Sequence, residues 1–196
     1  MTLIRLAHTA DDEGAIKAIY DDLYLATGVS RAKVSDGLKV LLERGIIARK
    51  PEARSCFQLA NFNPRQGWEK LPAKRLYNGE RIGAFSDFKL RSPAELVALK
   101  IYLLAVAFRD NDTNLANLSY DKFGELAGID RGRIRPALSV LAYTGLLHTE
   151  RVSSRQNVYA VSNAYRLVSM PTGTPGHQAA LISLPTLLTN CTEAVP

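Results

Sequence analysis

An internal repeat constrains the fold of this chain more than any other feature. The stretch 27–47, TGVSRAKVSDGLKVLLERGII, returns 100 residues later at 127–147 as AGIDRGRIRPALSVLAYTGLL. Aligned without a gap, the two copies share six identical residues, which in the first copy are Gly28, Arg31, Leu38, Val40, Leu41 and Gly45. A repeat in one register predicts two copies of the same structural unit, and therefore two domains within 196 residues.

Each copy has the pattern of two helices joined by a tight turn. A glycine, Gly28 or Gly128, ends a short helix, and a helix N-cap residue follows at once, Ser30 or Asp130. Apolar residues then recur at helical spacing and predict one buried stripe on each second helix: Val34, Leu38 and Leu41 in the first copy, Ile134, Leu138 and Leu141 in the second. Polar and basic residues occupy the opposite face of the predicted helices.

A β-hairpin is predicted to follow each second helix. Gly45 and Gly145 end the helices and open short apolar runs. Polar tips at 51–55 and 153–157 come next, and alternating segments at 56–59 and 158–161 return toward the domain. The predicted class is mainly α with small β hairpins, that is, α+β.

Helix, turn, helix and hairpin in this order resemble the winged helix-turn-helix superfamily, over residues 12–62 and 92–166. The Ser30-Arg31 pair is similar to the start of the second helix in bacterial regulators of the GntR and MarR kind. The resemblance implies that the second helix enters the DNA major groove and that the hairpin, or wing, touches a nearby phosphate or the minor groove. The residues that would contact double-stranded DNA are Arg31, Lys33, Ser35, Lys39, Arg49, Lys50, Arg54, Arg131, Arg133, Arg135, Arg151 and Arg155.

We predict a first winged-helix domain at 1–62, a basic connector at 63–91, a second winged-helix domain at 92–168 and a disordered tail at 169–196. The first domain should contain helices at 10–20, 21–27 and 31–44. Ser92, Pro93 and Glu95 form the pattern of a capping box, which begins an apolar helix over 93–109. This helix is apolar on most faces, so we expect it to pack against the first domain or against a second copy in a homodimer. A polar loop at 110–117 follows.

Charge supports a polyanionic partner. The net charge is +6, and basic residues exceed acidic ones by one in 1–62, by four in 63–91 and by two in 92–168. The connector is suited to lie along DNA, with a solvated charged loop as the alternative. Its piece from Trp68 to Leu76 resembles a strand in phage and plasmid replication proteins.

Residue patterns for catalysis or metal binding are missing from the sequence. The three histidines share no ligand spacing with cysteine or carboxylate, and the two cysteines lie in no paired motif. We therefore expect a non-enzymatic protein without cofactor or metal. The sequence also lacks a signal peptide and an apolar run of about 18 residues, so we expect a cytoplasmic protein with no membrane partner.

Three functions fit these patterns. A transcriptional regulator is the first candidate, because the residues of the repeat resemble those of bacterial regulators and the sequence shows no effector-binding domain. A plasmid or phage replication initiator comes second, since tandem winged helices are typical of that class. A protein-interaction scaffold comes third. Pro136, about six residues into the second recognition helix, is expected to kink this helix or to delay its start.

Overall fold

The chain divides into two units, each with its own helices and sheet. The computed structural model describes residues 1–51, 55–63, 71, 76–88, 91–153 and 161–168. Of these, 1–51, 55–63 and 76–86 belong to the first unit, and 71, 87–88, 91–153 and 161–168 to the second. Each unit combines α-helices with one three-stranded antiparallel sheet, so the class is α+β as predicted.

The first unit has the order helix, strand, two helices, two strands. Its elements are α1 (Thr2–Thr9), β1 (Ala15–Lys17), α2 (Tyr20–Thr27), α3 (Arg31–Glu43), β2 (Ile47–Arg49) and β3 (Cys56–Leu59). The strands lie in the order β1-β3-β2, with Ile16 opposite Phe57 and Ile47 opposite Leu59. The predictions for α2, α3 and the returning strand β3 are confirmed.

The second unit repeats this order. Its elements are α4 (Pro93–Ala107), β4 (Leu115–Ala116), α5 (Tyr120–Ala127), α6 (Arg131–Tyr143), β5 (Leu147–Ser153) and β6 (Val161–Leu167). The strand order β4-β6-β5 corresponds to that of the first sheet. The repeat seen over 21 residues of sequence is therefore a repeat of the whole unit.

The ends of α3 and α6 are closed in the same way. Gly45 and Gly145 both have φ of +63°, a left-handed conformation that glycine adopts without strain. In the first unit the N–H of Ile46 donates to the Leu41 carbonyl at 2.9 Å, and in the second Leu146 donates to Leu141 at 3.0 Å. These bonds satisfy carbonyls that the helix leaves unpaired and direct each chain into its hairpin.

Burial confirms most of the predicted apolar stripes. Val34, Leu38 and Leu41 are buried in the first unit, where they pack in one core with residues of β1, α2 and β3. In the second unit Ile134 and Leu141 are buried, but Leu138 is only half-buried. Ala137 is fully buried in its place, because α6 packs closely against α4 and the small side chain permits this.

The predicted helix at 10–20 is wrong. The first helix is α1, and a turn followed by β1 occupies most of 10–20. The carboxylate of Asp11 accepts the backbone N–H groups of Glu13 at 3.0 Å and Ala15 at 2.7 Å, and Gly14 has φ of +78°. An aspartate that binds its neighbouring backbone competes with helix formation, so the acidic cluster marks a turn and not a helix start.

The predicted loop at 110–117 is also wrong, because it contains β4. Asp110 accepts the backbone N–H groups of Asp112 at 3.1 Å and Thr113 at 2.8 Å. Asn114 has φ of +56°, and Leu115 pairs with Arg166 of β6. The second unit thus builds the same turn with an asparagine at the left-handed position, a residue that tolerates this conformation.

The boundaries of the second hairpin and of helix α4 differ from the predicted ones. The second hairpin is longer than predicted, since Ser153 pairs with Val161 and β6 continues to Leu167 instead of ending at residue 161. Helix α4 begins at Pro93 as predicted but ends at Ala107. Its capping box is incomplete, because the Ser92 side chain forms no cap hydrogen bond.

Most apolar residues of helix α4 are covered without a second copy, but Leu96 is 59% exposed. Seven of them are buried within the single chain: Val97, Ala98, Ile101, Tyr102, Leu104, Ala105 and Val106. The Nζ of Lys100 donates to the Ala127 carbonyl at 2.9 Å, which satisfies the C-terminal end of α5. A homodimer through this helix stays a prediction.

Part of the expected connector joins the first unit. Leu76, Ile82 and Phe85 are buried, and the N–H of Ile82 donates to the Ala26 carbonyl at 2.7 Å. Most of the remaining connector, nearly all of the piece from residue 68 to 76, and the tail from 169 onward lie outside the described residues. No helix in the part of the chain that the structure describes is long and apolar enough to cross a membrane.

Candidate nucleic-acid interface

Helices α3 and α6 present their predicted contact residues to solvent. The buried stripe fixes the rotation of each helix, and this leaves the polar residues outside the core. The exposed residues of the prediction are Arg31, Lys33, Ser35, Lys39, Arg131, Arg133 and Arg135. Exposure of the same positions in both units shows that the repeat preserves this surface as well as the core.

On each helix, the positions that point furthest from the core are mostly not the basic ones; these positions form the most outward line of the helix. At about 100° per residue, the positions opposite the stripe are Ala32, Asp36, Lys39 and Glu43 in α3. In α6 they are Gly132, Pro136, Ser139 and Tyr143, of which Tyr143 is 91% exposed. Most of the predicted basic residues therefore flank this line, with positions 31 and 35 on one side and position 33 on the other.

The first arginine of each helix is bound to an aspartate of the preceding helix. Arg31 Nη2 lies 2.7 Å from Asp21 Oδ1, and Arg131 Nη1 lies 3.1 Å from Asp121 Oδ1. The four side chains are 60–76% exposed, so each pair by itself contributes little to stability, about 0–1 kcal/mol. Its geometric effect is to hold one guanidinium at the start of α3 and one at the start of α6.

A tyrosine ring lies beside each of these guanidinium groups. Arg31 Cζ is 5.9 Å from the ring centroid of Tyr24, and Arg131 Cζ is 5.8 Å from that of Tyr120. Both distances are within the range of a cation–π contact. The tyrosines occupy different helix positions, the fifth residue of α2 and the first of α5, yet they produce nearly the same arginine environment.

The other basic residues differ in their pairing. Arg133 Nε is 3.3 Å from Asp130 Oδ2, and Lys39 Nζ is 3.7 Å from Glu43 Oε1. Asp130 occupies the N-cap position, but its side chain accepts no cap hydrogen bond, whereas Ser30 Oγ accepts the N–H of Lys33. Neither Lys33 nor Arg135 forms an ion pair with any described residue, although both lie at the surface.

Pro136 does not delay the start of α6. The helix begins at Arg131, which matches Arg31 of α3. The first turns differ, however: Arg133 donates to the Asp130 carbonyl three residues back, whereas Val34 donates to the Ser30 carbonyl four residues back. Proline has no N–H for the Gly132 carbonyl and crowds it, and a tighter first turn is compatible with that constraint.

Helix α6 is the more basic of the two. It carries three arginines and no acidic residue over 131–143. Helix α3 carries three basic residues as well, but Asp36 and Glu43 lie on its most outward line. The net charge is therefore +3 for α6 and +1 for α3.

Some of the residues predicted to contact the DNA backbone lie on the hairpins. Arg49 is exposed on β2 and lies 5.5 Å from the Phe57 ring centroid, and Lys50 is half-buried after it. Arg151 is exposed on β5. Arg54 and Arg155, predicted at the hairpin tips, lie outside the described residues.

An internal ion pair supports the second hairpin. Arg166 of β6 binds Glu150 of β5 through Nε and Nη2, and its Nη1 donates to the Thr113 carbonyl at 2.9 Å. The hydrogen bonds from Arg166 lower the pKa of Glu150. This group joins the hairpin to the turn before β4, so it has a structural role and is not part of the basic surface.

Sequence reasoning missed the two aspartates and two tyrosines that hold the first arginines. A signal was present, because the ungapped repeat extends back to Tyr20-Asp21 and Tyr120-Asp121. The pairing of Asp21 with Arg31 depends on how the turn at Gly28 brings α2 and α3 together.

No group of three histidine, cysteine or carboxylate side chains among the described residues is arranged to hold a metal ion. Comparison with protein-family models, with curated proteins and with solved structures gave no match.

Proposed function

We propose that the protein binds double-stranded DNA in a sequence-specific manner and acts as a transcriptional regulator. In this proposal each unit is a winged helix-turn-helix domain, with α3 and α6 as recognition helices and β2–β3 and β5–β6 as wings. The observation that supports it most is the repetition of two exposed basic residues at matching positions, Arg31 and Lys33 on α3 and Arg131 and Arg133 on α6, outside the buried stripe of each helix. A solvated surface with no partner has no reason to be repeated in this way.

The residues divide into two kinds of contact. Lys33, Arg135 and Arg151 are exposed and form no ion pair with any residue that the structure describes, which suits them to phosphate groups. Arg31 and Arg131 are held in place at the start of each helix and are suited to base edges, where arginine most often pairs with guanine. The proposal therefore assigns affinity mainly to the first set and specificity to the second.

The DNA site should have two unequal halves. Two domains in one chain bind two half-sites without self-association, as a dimer does. Exposed positions differ between the copies, with Ser35 matching Arg135 and Lys39 matching Ser139. The half-sites should differ for the same reason.

A replication initiator is the second candidate. The observation that favours it is the tandem placement of two units with the same element order on one chain. An initiator of this kind would bind iterated repeats at a replication origin, whereas a regulator would bind near promoters. The genomic positions of the bound sequence discriminate the two.

Selection of duplexes from a randomised pool, at two salt concentrations, tests the proposal. We expect an enriched motif and a steep salt dependence. Arg31→Ala and Arg131→Ala should each weaken specific binding by about 1–3 kcal/mol. Arg135→Ala should weaken binding to all duplexes and reduce the salt slope by about one.

Lys17→Ala is the control, since Lys17 is exposed on β1 and belongs to neither the recognition helices, the hairpins nor the basic connector. Its effect should be smaller than that of Arg135→Ala. Absence of any enriched motif, with binding that does not depend on salt, would contradict the proposal and would favour the protein-interaction scaffold.

A further inference from the structure

We propose that Asp21 and Asp121 are specificity-determining residues, which orient Arg31 and Arg131 for a two-bond contact with guanine. The inference rests on the proposed DNA binding and adds a division of labour within it. The aspartates would not contact DNA. They are positioning residues that act through the arginines.

The two units provide independent evidence for this role. Tyr20-Asp21 and Tyr120-Asp121 match in the repeat, but most of the surrounding residues of α2 and α5 differ. The ring beside the guanidinium comes from Tyr24 in one unit and from Tyr120 in the other, at 5.9 and 5.8 Å. Different sequences thus preserve one arginine environment, as expected if the position of the guanidinium matters.

The held arginines still have donors for a ligand. A guanidinium carries five N–H groups in a fixed plane. Arg131 gives one hydrogen bond to Asp121, from Nη1, and its side chain is 76% exposed. The remaining donors include an edge that fits the O6 and N7 atoms of guanine.

Arg31 and Arg131 differ in local net charge from Lys33 and Arg135, the residues proposed to bind phosphate. An Arg–Asp pair has no net charge, so it adds little to the release of counterions that dominates affinity for any DNA. A fixed guanidinium plane instead favours a directional contact, because less rotational freedom is lost on binding. Lys33 and Arg135, which form no ion pair with described residues, have the opposite properties.

A structural role for the pairs makes a different prediction. If the pairs only join α2 to α3 and α5 to α6, replacing aspartate by asparagine removes a negative charge near DNA and should increase affinity for every duplex alike. If the aspartates orient the arginines, affinity for unrelated duplexes should increase while preference for guanine decreases. A decrease in guanine preference indicates the orienting role, and an unchanged preference indicates the structural one.

The experiment uses the full chain with Asp21→Asn and Asp121→Asn. The probes are the duplex recovered from the randomised pool, the same duplex with each guanine replaced in turn, and an unrelated duplex. We expect each variant to lose about tenfold in preference at one guanine position, within the range of a two-bond contact. Asp22→Asn and Glu125→Gln are matched controls on the same helices, exposed residues whose replacement should leave the preference unchanged.

Arg131→Lys keeps the charge but removes the planar edge, so it should lose the same guanine preference with an unchanged salt slope. The inference is overturned if Asp121→Asn increases binding to all probes equally, as Glu125→Gln is expected to do, or if no guanine position responds. Failure of the unchanged protein to enrich any motif overturns the proposed function itself, so the two failures are distinguishable. Thermal unfolding of each variant excludes a loss of fold as the cause.

Discussion

Replacement of Pro136 by alanine should stabilise the second unit. Pro136 is exposed, so its ring gains little from packing, and it leaves the Gly132 carbonyl without the N–H of residue 136. Proline in a helix interior is about 3 kcal/mol less favourable than alanine. Because the first turn of α6 already accommodates the ring, we expect a gain of roughly 1–3 kcal/mol.

Calorimetry of the full chain measures this gain. For a unit of this size, a gain of about 2 kcal/mol should raise the midpoint of its transition by roughly 10 °C. Gly132→Ala is a control with a smaller expected gain in stability. A Cβ at this position would have no heavy atom within 4 Å, and alanine is more favourable than glycine in a helix by about 1 kcal/mol. An unchanged or lower midpoint for Pro136→Ala would refute the reasoning. A higher midpoint with weaker binding to the selected duplex would show that the proline sets the first turn for DNA.

Two further predictions concern a turn of the first unit and the ion pair of the second. Gly14→Ala should lower the midpoint of urea unfolding more than Gly45→Ala does. Both glycines have positive φ, but only at Gly14 would a Cβ lie 2.6 Å from the Phe62 ring. An equal decrease for the two variants would contradict this prediction. Arg166 lowers the pKa of Glu150, so its stabilisation is present above the ordinary value of 4.5 and is lost as the pH falls through the folded value. Glu150→Gln should therefore destabilise the protein at about pH 7 but not at about pH 2, and an equal loss at both would count against the pairing.

The two wrong predictions of secondary structure, the helix at 10–20 and the loop at 110–117, share one cause. Asp11 and Asp110 were assigned to a helix start and to a loop, but both bind backbone N–H groups in turns that precede a strand. The strands β1 and β4 are two or three residues long and carry no period of their own. They exist because β3 and β6, about 40 to 50 residues later, offer an edge to pair with. Pairing at that distance is not visible in a local pattern.

Local sequence patterns are enough to establish the repeat, the positions of helices α2, α3, α5 and α6, the glycines that end them, and which residues of α3 and α6 face solvent. These are local properties, since they follow from helical periodicity and from the backbone preferences of glycine and N-cap residues. Tertiary structure decided the third strand of each sheet, the attachment of residues 76–86 to the first unit, and the pairing of Arg31 with Asp21 and Arg131 with Asp121. Each of these requires groups that are distant in sequence, or on different helices, to meet at hydrogen-bond distance, and only the packing of the elements sets such distances.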